Sequence, residues 1–397
     1  MLNNLKYCTR CCLPETSEKL TFDEMGICRA CVSSEQKMRI NWAEREKKLE
    51  SILSEAKKKS NNSYDCVIPI SGGKDSTFQL HILKKKYGMN PLAVTFNHNW
   101  LSRVGYYNLM NCLEEFSVDH IMFTPNRNLV NRIAKRSISL IGDSCWHCHS
   151  GIGSFALHIA QKFNIKLLIW GESIADSSGK ASYKDEKYKF DRDYFLKTSA
   201  KVGPDKMVCE SFNKDGISKK ELSIFNPPSK EQISANNVQG IHLGDYIFWD
   251  DERHTEFVKK EYNWIEDDVE RTYKQYKSVE CVMEGVHSFM WYLKRGMSRV
   301  TTQASSDVRN GILTREEAFK IIKKYETQIP GSLKYYLDIT DLSENEFYSI
   351  LEKFKEDKIK EIKLPKEKKL YSFKEDKNRP FIINFIEKIR NEYKRKK

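Results

Sequence analysis

The sequence of 397 residues contains no long apolar run. None of its apolar segments approaches the 18 residues that a membrane-spanning helix requires, so we expect no transmembrane segment. The first eight residues also lack the apolar core of a secretory signal peptide. These absences predict a cytoplasmic protein without a membrane partner. In that compartment the eleven cysteines are expected to stay reduced, and their odd number agrees with this expectation.

Acidic residues are in the minority: 55 Asp and Glu face 67 Lys and Arg, which gives a net charge of +12. Such a surplus suggests a nucleic-acid partner. However, residues 351–397 hold 17 basic and 9 acidic side chains, so the preceding 350 residues are only mildly basic. We therefore expect no nucleic-acid partner for the body of the protein. Its 40% hydrophobic residues are sufficient for a folded core and argue against disorder.

Two C-x2-C pairs lie near the N-terminus: Cys8 with Cys11, and Cys28 with Cys31. Two such knuckles, separated by sixteen residues, suit four-thiolate tetrahedral coordination of Zn²⁺. A closed four-sulfur site leaves no open coordination position, so we predict a structural rather than a catalytic zinc site. Cys12 is interpreted as a bystander.

A glycine-containing loop follows a short apolar run at residues 66–70 and precedes a helical pattern. Gly72 and Gly73 can adopt positive φ, so successive backbone N–H groups can line one concavity for a phosphate. Lys74 adds a positive charge, and three hydroxyl side chains add donors. A Walker A loop requires Ser or Thr after its lysine, but Asp75 stands here. We interpret the segment as a phosphate-binding loop composed of Ser71, Gly72, Gly73, Lys74, Asp75, Ser76 and Thr77.

This Ser-Gly-Gly-Lys-Asp-Ser run resembles the SGGxDS loop of the PP-loop ATP pyrophosphatases. In that superfamily the loop holds the β,γ-pyrophosphate while ATP is cleaved to AMP and PPi. The resemblance implies ATP as a ligand, with Mg²⁺ bridging its phosphates. It also implies catalytic roles for Lys74, Asp75 and Ser76. Asp75 and Asp176 are the candidates near the magnesium ion.

Apolar runs at residues 92–96, 118–123 and 167–170 alternate with helix-period segments near 104–116, 127–140 and 153–163. This alternation predicts an α/β fold, a parallel sheet with helices on both faces, of the PP-loop or adenine nucleotide alpha hydrolase type. Ligands in such sheets bind at the carboxyl ends of the strands. By analogy with the superfamily, we expect the adenosine pocket to include Phe96, Gly171 and Glu172.

A second cysteine pair, Cys145 and Cys148, lies in a Cys-Trp-His-Cys-His segment before a helix. A C-x2-C pair alone supplies too few ligands for a metal, although Cys209 or Cys281 can provide a third thiol. PP-loop enzymes that thiolate tRNA hold an iron–sulfur cluster with a pair at a similar position. We therefore keep two alternatives open here, a metal or cluster site and a pocket wall.

The wider pattern resembles the N-acetyl sugar amidotransferases of the WbpG/PseA type, which act in bacterial surface-polysaccharide and nonulosonic acid biosynthesis. Four stretches carry this resemblance: residues 7–11, 71–76, 243–250 and 294–318. It implies an ATP-dependent conversion of an acetamido group on a nucleotide-activated sugar to an acetamidino group. Since the chain starts Met1-Leu2 and lacks a complete class I glutaminase elbow, we expect ammonia from a separate glutaminase subunit.

Five regions follow from these patterns. They are a zinc module at 1–34, a connector helix at 35–62, a PP-loop ATP-binding domain at 63–235, a helical substrate or partner region at 236–330 and a basic helical tail at 331–397. Two further functions remain as alternatives, a tRNA sulfurtransferase with an iron–sulfur cluster and a zinc-bearing RNA-binding module without catalysis. Three arginines in the late region, Arg295, Arg299 and Arg309, are candidates for a polyphosphate clamp.

Overall fold

A parallel five-stranded sheet with the order β3-β2-β1-β4-β5 forms the centre of the molecule. The computed structural model describes residues 5–60, 63–173, 175, 183, 200–210, 215–368 and 375–394. The strands of this sheet are β1 (Cys66–Pro69), β2 (Pro91–Phe96), β3 (His120–Phe123), β4 (Leu167–Trp170) and β5 (Gln239–His242). A separate two-stranded sheet pairs β6 (Gln328–Ile329) with β7 (Glu367–Lys368).

Helices fill most of the remaining described chain. In order they are α1 (Arg29–Met38), α2 (Trp42–Lys59), α3 (Lys74–Leu80), α4 (Arg103–Phe116), α5 (Arg127–Ile141), α6 (Trp146–Lys162), α7 (Pro204–Met207), α8 (Lys230–Asn236), α9 (Asp251–Tyr262), α10 (Glu284–Arg295), α11 (Arg299–Arg309), α12 (Arg315–Glu326), α13 (Ser332–Thr340), α14 (Glu344–Glu352) and α15 (Phe381–Lys394). No helix of the described chain has both the length and the apolar character needed to cross a bilayer.

Both faces of the central sheet are covered because alternate strand residues point to opposite sides. In β1, Cys66 and Ile68 belong to a core shared with α2, α3 and α4, whereas Val67 belongs to a second core shared with α5 and α6. All three side chains are fully buried. This arrangement confirms the predicted α/β class, a parallel sheet with helices on both faces.

The C-terminal helices build a third core against the sheet domain. Phe289 of α10, Tyr336 of α13 and Phe347 of α14 are buried together with Val130 and Ile138 of α5. Helix α5 therefore contributes one face to the sheet domain and another to the C-terminal region. The late helices are part of the same folded body as the sheet.

Sequence patterns located strands β1 to β4 and the helices between them, but they misplaced the start of α6 and missed β5. Helix α6 begins at Trp146, earlier than the predicted segment at 153–163. It therefore includes His147 and Cys148, whereas Cys145 lies just before it. The edge strand β5 was not predicted, because its four residues include a glycine and lack an apolar run. This strand lies in the region assigned to 236–330, beyond the expected end of the ATP-binding domain.

Candidate functional site

The phosphate-type loop lies at the carboxyl end of β1 and leads directly into α3. Gly72 has φ +81°, and a Cβ atom there would lie 2.5 Å from the Gly105 carbonyl oxygen of α4. Only glycine fits both the left-handed backbone and this close approach. The Gly72 carbonyl accepts a 2.9 Å hydrogen bond from the Trp264 indole, and the Gly73 N–H donates to Ser71 Oγ at 3.2 Å. The loop is thus fixed from several sides.

Lys74 is the buried cation of the loop, with 2% of its surface exposed. Its Nζ donates to Asp75 Oδ1 at 2.6 Å and to Asp251 Oδ1 at 2.7 Å. The other oxygen of Asp251 accepts from Lys277 Nζ. Asp251 therefore joins two lysines that are distant in sequence. Burial raises the pKa of Asp251, but Lys277 and Lys74 outweigh it and hold this pKa well below its usual range.

Lys74, Asp75 and Lys277 line a cavity of about 180 Å³, and Asp251 holds the two lysines from behind its wall. Half of its lining comes from the loop and from Glu172, which follows β4. The other half comes from a segment near residues 276–280 and from Arg299 of α11. The complete lining is Ser71, Gly73, Lys74, Asp75, Ser76, Glu172, Tyr276, Lys277, Ser278, Glu280 and Arg299. Lys277, Tyr276, Ser278 and Glu280 were missed by sequence analysis because no motif marks them.

Three cations and several carboxylates share this cavity. Arg299 donates to Ser278 Oγ at 2.7 Å and pairs with Glu284 at 3.0 Å. Burial raises the pKa of Glu172 to about 7, with Asp251 and Asp75 adding to the rise, against the opposing effect of Lys277 and Lys74. Burial also raises the pKa of Glu280. The cavity therefore combines fixed cations with carboxyl groups whose pKa is raised by burial. This combination suits an anionic ligand accompanied by a divalent cation.

The predicted residues divide into those that line the cavity and those that support it. Ser71, Gly73, Lys74, Asp75, Ser76 and Glu172 line it, as does Arg299 among the late arginines. Phe96 packs instead in the core, with its ring centroid 5.6 Å from that of Phe225. Gly171 accepts the Gly244 N–H at 2.9 Å, and Thr77 donates to the Gly73 carbonyl at 3.2 Å. Asp176 lies outside the described residues.

The four N-terminal cysteines converge into one buried cluster. Their Sγ atoms are separated by 3.8 Å (Cys8 to Cys31) and by 3.6 Å (Cys11 to Cys28, and Cys28 to Cys31). Four sulfurs about 2.3 Å from a tetrahedral Zn²⁺ are spaced by about 3.8 Å, so the cluster fits a zinc knuckle. Cys12 is not part of this cluster, and burial raises the pKa of its thiol to about 12.

Helix α12 holds this cluster from outside. Arg315, its first residue, donates to the Cys8 carbonyl at 2.9 Å and to the Cys11 carbonyl at 3.0 Å. Thr16 adds a 2.7 Å hydrogen bond to the Arg295 carbonyl at the end of α10. The N-terminal module is thereby joined to the C-terminal region and not only to the connector that follows it.

The second cysteine pair lies close to the cavity wall. Cys145 precedes α6 and is grouped with Asp143 and His287 rather than with Cys148. Cys281 forms an antiparallel bridge with Leu101, just after β2, on the chain segment that continues from the cavity lining. Burial raises the pKa of the Cys148 thiol, with the neighbouring Cys145 adding to the rise.

Part of the chain matches a known family model and a protein of known sequence. Residues 270–388 match the family model described as "LPS biosynthesis protein WbpG-like, C-terminal domain". An uncharacterized protein of Methanocaldococcus jannaschii is 26% identical over 161 residues, which are 40% of this chain and 56% of that protein. The chain thus aligns with just over half of the length of this relative.

Two solved structures also align with the chain. NMN synthetase from Francisella tularensis is 12% identical, with a TM-score of 0.34, over 77% of this chain and 98% of that chain. A predicted subunit of tRNA methyltransferase from Methanocaldococcus jannaschii is 16% identical, with a TM-score of 0.27, over 59% and 90% of the two chains. Scores this low carry no functional argument.

The structure has a parallel α/β sheet whose glycine loop follows β1 and leads into a helix. Residues 270–388 match the WbpG-like C-terminal domain model, in agreement with the resemblance stated from the sequence. The loop and the WbpG-like domain meet in one cavity, since Tyr276, Lys277, Ser278, Glu280 and Arg299 all lie in the matched region.

Proposed function

We propose that the protein is an ATP-dependent amidotransferase that converts an acetamido group of a nucleotide-activated sugar to an acetamidino group. The observation that carries this proposal is the shared cavity, in which the PP-loop residues face residues of the WbpG-like domain. A pocket built from an ATP-type loop and from a polysaccharide-biosynthesis domain is suited to bring ATP and a sugar substrate together. The proposed setting is bacterial surface-polysaccharide or nonulosonic acid biosynthesis.

The cations of the cavity support an AMP-forming reaction. Lys74, Lys277 and Arg299 approach one small space from three different elements. Because Asp251 holds both lysines by hydrogen bonds, their charges are positioned before any ligand enters. Such preorganised charge stabilises a departing pyrophosphate in the transition state. Burial opposes the charge on Lys277, but Asp251, Glu172 and Asp75 raise its pKa, so this lysine remains protonated.

The carboxylates of the same cavity fit Mg²⁺. Asp75, Glu172 and Glu280 supply the oxygen ligands that this ion prefers. When bound, Mg²⁺ neutralises charge on the phosphates of ATP. Asp75 would hold the ion while it also accepts a 2.6 Å hydrogen bond from Lys74.

The proposed reaction has two steps. The acetamido oxygen attacks the α-phosphorus of ATP, and the α–β phosphoanhydride bond breaks with release of PPi. Ammonia then attacks the resulting O-adenylyl imidate carbon, the carbon–oxygen bond breaks, and AMP leaves with the electron pair. Loss of a proton gives the neutral amidine. We propose a separate glutaminase subunit as the source of ammonia.

The test uses the full chain with ATP, Mg²⁺ and ammonium, and a panel of UDP- and CMP-linked acetamido sugars. We expect AMP release with at least one sugar, together with a product in which an NH group replaces the carbonyl oxygen, detected by mass spectrometry. Glutamine should replace ammonium only after a glutaminase is added. AMP release without any change in the sugar would refute the proposal.

One observation favours a second candidate, a tRNA sulfurtransferase. Cys281 is the later cysteine; burial raises the pKa of its thiol, and the neighbouring Cys148 adds to the rise. This placement resembles the third thiol that a cluster-binding pair requires. Anaerobically purified protein with visible absorbance, and AMP release that depends on tRNA, would favour this candidate over the sugar amidotransferase.

A further inference from the structure

A buried cluster outside the phosphate cavity combines three different metal-binding groups. A carboxylate oxygen of Asp143, the Sγ atom of Cys145 and an imidazole nitrogen of His287 lie within 4.8 Å of one another. Their exposed fractions are 1%, 7% and 2%. The residues come from the α5–α6 connection and from α10, so the third core brings them together.

The imidazole of His287 has only one of its nitrogens engaged within the described chain. Its Nδ1 atom lies 3.0 Å from Asp143 Oδ1, while its Nε2 atom is buried and has no hydrogen-bond partner there. Two ligands of one tetrahedral Zn²⁺, each about 2.0–2.1 Å from the ion, are spaced by about 3.3 Å. The Nδ1 atom and Asp143 Oδ1 have nearly this spacing, so both can contact one ion bound at Nδ1.

The charge of the cluster also suits a divalent ion. Asp143 is balanced by Lys201, whose Nζ lies 3.1 Å from Oδ2 and whose side chain is 27% exposed. Binding of a divalent cation would release the Cys145 thiol proton and displace the partly exposed Lys201 from Asp143, so that the thiolate and the carboxylate together neutralise the ion. Thiolate, imidazole and carboxylate are the three donor types that zinc accepts.

We propose that Asp143, Cys145 and His287 form a second metal site, which takes Zn²⁺ or a similar transition-metal ion and is separate from the N-terminal knuckle. Three protein ligands leave one tetrahedral position open, whereas the four-cysteine cluster leaves none. Cys148 and Cys281 are not members of this site. The site does not depend on the proposed amidotransferase reaction.

The experiment counts metal in the reduced full-length protein. After anaerobic reconstitution with Zn²⁺ and removal of the excess, elemental analysis should give two zinc ions per chain. Cys145→Ala and His287→Gln should each lose one ion and keep the other. Cys148→Ala and Cys281→Ala are matched controls on the same wall and should keep both.

A titration of the wild-type chain with Co²⁺ adds a measurement that does not depend on any variant folding. We expect a second Co²⁺ absorption component that differs from that of a tetrathiolate site. A wild-type chain that holds only one metal ion, or a Cys145→Ala variant with an unchanged count, would overturn the proposal. Iron that is lost equally from Cys145→Ala, Cys148→Ala and Cys281→Ala would overturn it as well, in favour of a three-thiol cluster.

Discussion

Asp251 organises the cations of the phosphate cavity. One of its oxygens accepts from Lys74 and the other from Lys277, so a single carboxylate fixes two ammonium groups. Its own position follows from the N-terminus of α9, where the preceding Asp250 side chain accepts from the backbone N–H groups of Glu252 and Arg253. Residues 243–250 are one of the four stretches that carry the family resemblance. This stretch ends one residue before Asp251, which sequence analysis did not select.

Replacing Lys277 tests the half of the cavity that no motif revealed. Lys277→Met removes one of three cations while keeping the length of the side chain. We expect the rate of AMP formation to fall about a hundredfold, a loss typical of removing one preorganised charge from a transition state. The rate of AMP release with a sugar substrate and ammonium measures this directly. Lys260→Met is the control, because Lys260 is 83% exposed and should leave the rate unchanged.

Glu172 gives the cavity a pH dependence near neutrality. Burial raises its pKa to about 7, so the folded protein holds this proton up to higher pH than the unfolded chain. The associated stabilisation of the folded state is present at low pH and is lost as pH rises from the ordinary glutamate pKa through about 7. Above that pH the ionised carboxylate also repels phosphate.

We therefore expect magnesium-free pyrophosphate to bind the wild type progressively more weakly than it binds Glu172→Gln as pH rises from 6 to 8. Calorimetric titration of both proteins across this range gives the affinity ratio. Protonation of pyrophosphate itself is common to both proteins and cancels. A ratio that stays constant with pH would show that Glu172 does not titrate in the cavity.

At the scale of elements, the β1–α3 connection depends on a backbone shape that only glycine adopts without strain. Gly72→Ala places a methyl group at positive φ and against the α4 backbone. We expect a destabilisation of about 2–5 kcal/mol, which combines conformational strain with overpacking, and loss of pyrophosphate binding. Chemical denaturation measures the first effect.

Gly311→Ala is the matched control for this substitution. Gly311 has a similar φ of +73°, but no atom lies within 4 Å of the place of a new Cβ. Only the conformational cost of about 1–2 kcal/mol should remain. Equal losses for the two variants would mean that the close approach of the loop to α4 does not matter.

Features whose residues are close together in the sequence could be predicted, and features that depend on contacts between distant residues could not. The phosphate loop and both cysteine pairs of the knuckle lie within short segments, so spacing alone revealed them. Two capping boxes, Thr314 with Glu317 and Ser343 with Glu346, form as their spacing indicates. Lys277 and Asp251 are positioned by tertiary contacts, which leave no local pattern, so sequence analysis did not find them.

The final helix shows a pattern interpreted too simply. Its spacing of apolar residues alone favours packing against the protein over contact with a membrane; the residues are Phe381, Ile382, Phe385, Ile386 and Ile389. In the structure Ile382, Phe385 and Ile386 are 39%, 46% and 40% exposed, and at the start of the helix the Phe381 N–H donates to the Leu101 carbonyl. Periodicity establishes that a helix has an apolar face but not that the fold covers it.

At the scale of the whole molecule, the N-terminal zinc-type module is joined to helix α12 of the C-terminal region. Arg315→Gln removes the guanidinium that binds the carbonyls of Cys8 and Cys11. Hydrogen bonds from a charged group contribute about 1.5–3 kcal/mol, so we expect zinc to pass to a chromophoric chelator about tenfold faster or more. Stopped-flow absorbance follows the transfer.

Arg10→Gln controls for the loss of a positive charge near the knuckle. Arg10 is half exposed, pairs with Glu35 at the surface and, within the described chain, makes no hydrogen bond to a knuckle carbonyl. Its zinc transfer rate should match that of the wild type. If Arg10→Gln accelerates transfer as much as Arg315→Gln does, then positive charge near the knuckle retains the metal, and the hydrogen bonds from Arg315 to the Cys8 and Cys11 carbonyls do not.

The contact between Arg315 and the N-terminal knuckle also sets an order of events during synthesis of the chain. Arg315 lies 307 residues after Cys8. At roughly 5–20 residues per second, a ribosome needs about 15–60 seconds to produce the intervening chain. Throughout that interval the N-terminal thiols are outside the ribosome without their final cover. Early capture of a metal ion would therefore protect them from oxidation until the C-terminal region arrives to close the fold.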